Sequence, residues 1–135
     1  MIFLDANYLV SYYIDTEDYH KRALEIAKDI AEKEKIISRS IIAETINVLN
    51  NKLKMDKKTI EVTYKKLIED YTLIEDNYFY NKAIKKAIAH EKRLPFFDFL
   101  YMALMEELEI EEIATFDKHL CDSLGPRFSV IQWGN

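Results

Sequence analysis

Four acidic residues stand out because of the residues that surround them. Asp5 follows the apolar run MIFL, and Asp117 follows IATF much later in the chain. Glu44 lies in SIIAETINVL and Asp98 in FFDFLYMALM, so both are set among apolar side chains. An unpaired buried carboxylate is costly and must acquire a cation, hydrogen bonds or a proton. Together the four acids indicate a candidate carboxylate site.

Glu44 is the acid that its local surroundings explain least. With Ser40 as the predicted N-cap of its helix, Glu44 falls one position too late for a capping box. The position four residues later is Val48, so a helical ion pair with a lysine is not available there. The remaining local explanation is the general preference for acids near the start of a helix.

The other three acids each have a structural explanation. Asp5 and Asp117 directly precede predicted helices, where aspartate is a good N-cap. Asp98 closely follows Pro95 and would lie in the first turn of a helix, where the helix dipole favours an acid. Taken singly, these residues could serve the fold alone. Their joint position at strand ends and helix starts is what indicates a site.

The predicted cluster favours a hard divalent cation. Neighbouring carboxylates repel one another, and their pKa values rise unless a cation lies between them. Cys121 is the only cysteine, which excludes a zinc cluster of thiolates and an internal disulfide. Because Mg²⁺ and Mn²⁺ prefer oxygen ligands, the sequence predicts one of these ions. Such sites most often act on phosphates.

Short strands and helices alternate along the chain and would position these acids. The predicted strands are MIFLD, KIIS, TLIED, EIATFD and FSVIQW. The predicted helices are ANYLVSYYI, 16–35, 40–53, 55–71, 77–93, 96–110 and KHLCDSLG, the last ended by Gly125. This alternation predicts βαβ units in a single domain over residues 1–135, with a short central parallel sheet in a three-layer α/β/α arrangement. Ligands of such sheets bind beyond the carboxyl ends of the strands.

Composition excludes several other classes of protein. Of 135 residues, 49% are hydrophobic and 32% charged, which is typical of a folded domain. Gly125 and Gly134 are the only glycines, so a Gly-rich phosphate loop is excluded. The start MIFLDANYLV lacks a basic region before its apolar run, and no apolar run is long enough to span a bilayer. These features predict a cytoplasmic protein.

The charge distribution is uneven. A formal net charge of -5 argues against binding to nucleic acid. Basic residues nevertheless concentrate in the middle of the chain and could form a local phosphate-binding face. They are Lys52, Lys54, Lys57, Lys58, Lys65, Lys66, Lys82, Lys85, Lys86, Lys92 and Arg93.

The order and spacing of the acidic motifs resemble those of a known family. DAN at Asp5, IIAETINVL at Glu44, FFDFLYMAL at Asp98 and TFD at Asp117 resemble the acidic signature of PIN-domain ribonucleases. Chain length and element order resemble those of the VapC-type toxins of toxin–antitoxin pairs. One departure is Phe99, since family members often carry a small residue directly after the third acid.

The resemblance implies a metal-dependent endoribonuclease. It implies that the four acids hold one or two Mg²⁺ or Mn²⁺ ions, with Asp5 and Asp98 as direct ligands and Glu44 and Asp117 binding directly or through water. Asn7 and Thr115 would orient the carboxylates, and Lys92 and Arg93 would guide the RNA backbone. The implied partners are RNA, a cognate antitoxin protein and a second copy of the chain. None of the three histidines is assigned as a general base.

Two alternative functions compete with the endoribonuclease hypothesis. A haloacid-dehalogenase-type phosphatase also has an aspartate after its first strand, but it needs a second aspartate two residues later, where this chain has Asn7. A non-catalytic PIN-like module that binds RNA or protein is the main alternative. The presence of all four acids argues against it, and the absence of Mn²⁺ binding in a titration would favour it.

Overall fold

A five-stranded parallel sheet forms the centre of the molecule. The structure is a computed structural model that describes residues 1–124 and 129–131. The strands follow one another in space in the order β3-β2-β1-β4-β5. They are β1 (Ile2–Leu4), β2 (Lys35–Ser38), β3 (Thr72–Ile74), β4 (Glu112–Ala114) and β5 (Ser129–Ile131). All five predicted strands are therefore confirmed, and β2 has the predicted bounds, whereas β1, β3 and β4 are shorter than their sequence patterns.

In the described residues, seven α-helices connect the strands. They are α1 (Ala6–Tyr13), α2 (His20–Asp29), α3 (Arg39–Asn47), α4 (Lys57–Asp70), α5 (Tyr80–Ala89), α6 (Phe96–Glu107) and α7 (Lys118–Ser123). A π-helical turn, Val48–Lys52, continues α3, and a 3₁₀-helix, Asp76–Phe79, precedes α5. No helix in the described ranges is long and apolar enough to cross a membrane.

The helices cover both faces of the sheet. Parallel crossovers are almost always right-handed. The chain runs from β1 to β3 in one direction and from β3 across to β4 and β5 in the other, so α1–α4 lie on one face and α5–α7 on the opposite face. Consistently, α1 packs on α2 and α3, whereas α5 packs on α6. The predicted three-layer α/β/α fold is confirmed.

The core is built on β1 and α6. Ile2, Phe3 and Leu4 have no exposed surface, as expected of a strand buried on both faces of a parallel sheet. The stretch 98–105 of α6 is also buried along its full length. The Phe3 and Tyr101 rings pack at 5.3 Å between centroids. This central strand and helix carry two of the four acids into the interior.

Several element boundaries differ from the prediction. The N-cap of α3 is Ser38, whose hydroxyl accepts from the Ile41 N–H (3.3 Å), and not Ser40. The predicted helix 16–35 is reduced to α2, because turns at both ends take up its flanks: His20 N–H bonds to Glu17 O (3.0 Å) and Lys33 N–H to Ile30 O (2.9 Å). The predicted stop at Gly125 lies outside the described residues.

Candidate functional site

The strand ends of β1 and β4 meet at one edge of the sheet. The two strands pair in parallel with Leu4 opposite Ala114, and the Asp5 N–H donates to the Ala114 carbonyl at 3.0 Å. The strand order reverses between β1 and β4, which is where open parallel sheets bind their ligands. Asp5 and Asp117 therefore lie at the expected place.

Asp5 is buried and densely hydrogen-bonded. Its side chain accepts from the Ala6 N–H (2.8 Å), the Thr115 hydroxyl (2.6 Å) and the Asn7 amide (3.3 Å). The first bond makes Asp5 the N-cap of α1. Asp5 thus does what its structural explanation predicted, and it still lines the site.

Asn7 and Thr115 link the loops that follow β1 and β4. The Asn7 side-chain oxygen accepts from the Phe116 N–H (2.9 Å), and the Thr115 hydroxyl oxygen accepts from the Asp117 N–H (3.0 Å). Both residues contact Asp5 as well. Both side chains therefore lie beside the Asp5 carboxylate, and their predicted role in orienting it stays a prediction.

Asp117 both caps a helix and lines the cavity. Its Oδ1 accepts from the N–H groups of His119 (2.9 Å) and Leu120 (3.2 Å), which caps α7. The residue also lines the cavity that contains Asp5. The two explanations offered for this acid are thus compatible.

Glu44 reaches the cavity from α3 and has a partner from another helix. The Tyr101 hydroxyl, on α6, donates a hydrogen bond to Glu44 Oε1. Sequence reasoning did not single out Tyr101. Its signal was the spacing, because a residue three positions after Asp98 on a helix lies on the same face.

Asp98 lies at the start of α6, two residues after the helix begins. Its side chain is 7% exposed. The Oδ2 atom is buried and has no hydrogen-bond partner among the described residues. Because an unsatisfied buried carboxylate oxygen is costly, this atom fits a site that receives a cation.

Burial and mutual repulsion raise the pKa values of three acids. The pKa rises to about 6 for Asp5 and for Asp98, and to about 7 for Glu44, with loss of solvation as the main cause in each case. The charge of Asp117 raises all three further. His119 acts in the opposite direction on Asp98. The pocket thus disfavours its own negative charge and would be relieved by a bound cation.

All four predicted acids line one cavity of about 390 Å³. The other polar residues that line it are Asn7, Ser11, Glu17, Tyr19, Asn47, Lys52 and Tyr101. Within the described part of the chain, no group of three or more His, Cys, Asp or Glu side chains is placed so as to hold a metal ion as it stands. The donor set is nevertheless composed of carboxylate oxygens, which suits Mg²⁺ or Mn²⁺.

The remaining predicted residues lie away from this cavity. Lys92 and Arg93 are exposed in the turn between α5 and α6 and line a separate cavity. Phe99 is buried and packs against the His90 ring at 5.4 Å between centroids. It lines that second cavity and not the acidic one, so its size does not narrow the site. The use of Lys92 and Arg93 as RNA contacts stays a prediction.

The sequence matches the model of a known protein family. The PIN domain profile matches residues 2–123, which is most of the chain. The chain belongs to the PIN domain family. A search of curated protein sequences gives no significant match.

Solved structures share the fold at low sequence identity. The Mycobacterium tuberculosis toxin VapC20, which cleaves the sarcin–ricin loop, is similar with a TM-score of 0.77 and 16% identity, over 91% of this PIN domain and 95% of that chain. VapBC2 from Rickettsia felis, bound to a promoter DNA fragment, is similar with a TM-score of 0.68 and 16% identity. The match covers 99% of this chain and 100% of that chain. FitAcB from Neisseria gonorrhoeae is similar with a TM-score of 0.63 and 17% identity, over 96% of each chain. The resemblance to VapC-type toxins is therefore one of fold.

Proposed function

We propose that this PIN domain is a metal-dependent endoribonuclease that hydrolyses RNA phosphodiester bonds. The observation that carries the proposal is the convergence of Asp5, Glu44, Asp98 and Asp117 on one cavity at the reversal point of the sheet. Membership of the PIN domain family supports it. So does the buried, unsatisfied Oδ2 of Asp98, which needs a positive partner.

In this proposal, Asp5 and Asp98 bind Mg²⁺ or Mn²⁺ directly, and Glu44 and Asp117 bind directly or through water. A bound ion would supply positive charge that makes the attacking water easier to deprotonate and that stabilises the charge developing on the phosphate. Thr115 and Asn7 hold the Asp5 carboxylate in place by their hydrogen bonds. Tyr101 holds Glu44 from the opposite side.

We extend the proposal to the toxin of a type II toxin–antitoxin pair. Support comes from the fold, which is shared with VapC20, a toxin that cleaves the sarcin–ricin loop, and with the VapBC2 and FitAB structures bound to DNA. The expected partners are RNA, a cognate antitoxin protein and a second copy of the chain, and the expected compartment is the cytoplasm.

RNA cleavage tests this proposal directly. A mixed-sequence fluorogenic RNA is incubated with the protein in Mn²⁺, in Mg²⁺ and in EDTA. The variant is Asp98→Asn, which keeps side-chain size and removes the charge. The matched control is Asp122→Asn, since Asp122 is exposed on α7 and does not line the cavity.

We expect cleavage in either metal, none in EDTA, a loss of at least about 100-fold in Asp98→Asn and none in Asp122→Asn. Cleavage that survives in Asp98→Asn or in EDTA would contradict the assignment of the site. If the wild type neither cleaves RNA nor binds Mn²⁺, the non-catalytic binding module is the better account.

A further inference from the structure

Lys52 is the only basic residue that lines the acidic cavity within the described chain. Its amino group makes no hydrogen bond or ion pair with residues 1–124. In contrast, Lys33, Lys82 and Lys86 are each paired with a glutamate. Lys52 therefore brings an uncompensated positive charge to the rim of a pocket of carboxylates.

Lys52 lies at the end of the π-helical turn, on the same side of the helix as Glu44. Glu44, Val48 and Lys52 are spaced four residues apart and all line the cavity. In an α-helix, which takes about 3.6 residues per turn, positions four apart drift steadily round the axis. The turn Val48–Lys52 is wound more widely, with the Leu53 N–H bonded to the Val48 carbonyl at 2.9 Å. This wider winding offsets the drift, which is consistent with the position of Lys52 on the Glu44 side.

We propose that Lys52 positions the RNA by binding a backbone phosphate next to the one that is cleaved. The inference rests on the proposed function. A polyanion that approaches four carboxylates needs cationic contacts beyond the metal ion, and phosphate contacts set the register of a bound strand. A lysine suits this task because its ammonium is a compact charge on a flexible stem. Lys52 touches none of the acids and acts on substrate binding.

The test compares Lys52→Gln with Lys58→Gln in the same cleavage assay. Lys58 is exposed on α4 and does not line the cavity, so this control removes the same charge elsewhere. Steady-state kinetics are measured in Mn²⁺ at several KCl concentrations. Lys52→Arg tests whether another cation restores binding, and thermal unfolding checks that each variant is folded.

We expect Lys52→Gln to raise KM by about tenfold while kcat stays within about twofold of wild type. The slope of log KM against log salt should fall by about 0.7, as expected for one lost phosphate contact on a single strand. Lys52→Arg should restore most of the affinity, and Lys58→Gln should leave KM and the slope close to wild type.

Two outcomes overturn the inference. One is an unchanged KM and salt slope in Lys52→Gln. The other is a fall in kcat together with weaker Mn²⁺ binding, measured by calorimetry without RNA, which would place Lys52 in support of the metal site. A wild type that cleaves no RNA at all is a failure of the proposed function. In that case the affinities of the wild type and of Lys52→Gln for the same RNA are compared. Weaker binding by Lys52→Gln would support the inference, and equal binding would overturn it.

Discussion

Asp5, at the end of β1, accepts three hydrogen bonds, whereas Asp98, on α6, has a buried oxygen that accepts none from the described residues. The strand side of the cavity is lined by Asp5, Asn7 and Asp117. These residues are thus fixed by their own polar contacts, which include those with the buried Thr115. On the helix side, formed by Glu44, Asp98 and Tyr101, the described residues make one side-chain hydrogen bond, from the Tyr101 hydroxyl to Glu44. The strand side is therefore held by its own hydrogen bonds, whereas the helix side leaves one buried carboxylate oxygen without a partner among the described residues.

The largest expected effect is on the pH dependence of stability. The pKa values of Asp5, Asp98 and Glu44 are raised from 3.8, 3.8 and 4.5 to about 6, 6 and 7. Between about pH 4 and 7 these three groups therefore bind more protons in the folded protein than in the unfolded chain. The stability that these groups give is fully present below about pH 4 and is lost as the pH rises through 6 to 7.

Urea unfolding of metal-free protein at pH 4 to 8 measures this effect. Since Glu75, whose pKa is lowered by Arg39, contributes a slope of opposite sign, the quantity to compare is the difference between wild type and Asp98→Asn. We expect Asp98→Asn to be more stable by about 2 kcal/mol at pH 8, with a difference that shrinks towards pH 4. A pH-independent difference would show that the helix side carries no buried charge.

A smaller effect is expected from breaking the strand side. Thr115→Val keeps the shape of a fully buried side chain and removes the hydroxyl that donates to Asp5 and accepts from Asp117. We expect a loss of about 1 to 1.5 kcal/mol in unfolding free energy and a fall of about tenfold in cleavage. Thr115→Ser, which keeps the hydroxyl, is the control. Equal losses in both variants would attribute the effect to packing and not to the hydrogen bonds.

The smallest effect is expected from Tyr101→Phe, which removes the one hydrogen bond on the helix side. The ring stays packed on Phe3, so we expect a loss of stability of about 1 kcal/mol or less. Because that bond lowers the pKa of Glu44, NMR titration should show the Glu44 pKa rising further in the variant. A pKa that stays constant would mean that Tyr101 does not hold Glu44 in solution.

The two sides also differ in how far the sequence predicts them. Asp5 and Asp117 are placed by rules that act over a few residues, since a strand end followed by an N-cap is visible in MIFLD and TFD. The prediction that Glu44 lacks a local helical partner is consistent with the structure, where its partner Tyr101 lies 57 residues later. That contact depends on how α3 and α6 meet beyond the sheet, which no local pattern encodes.

Backbone details account for the other differences. The sequence 38–40 offers two serines as caps, and the structure uses Ser38 because β2 ends there and the helix begins at Arg39. Lys52 appears in the sequence as one of many lysines. In the structure it lies at the end of a π-helical turn and lines the cavity, a position that a pattern of apolar spacing does not single out among the other lysines.

Calorimetric titration of Mn²⁺ into the metal-free protein tests the central claim most directly, with wild type, Asp98→Asn and the control Asp122→Asn measured side by side at pH 8. The account predicts that wild type and Asp122→Asn bind Mn²⁺ with equal affinity and that Asp98→Asn binds at least about tenfold more weakly. Equal affinity in Asp98→Asn, or no binding to the wild type, would contradict the claim that these carboxylates form a cation site.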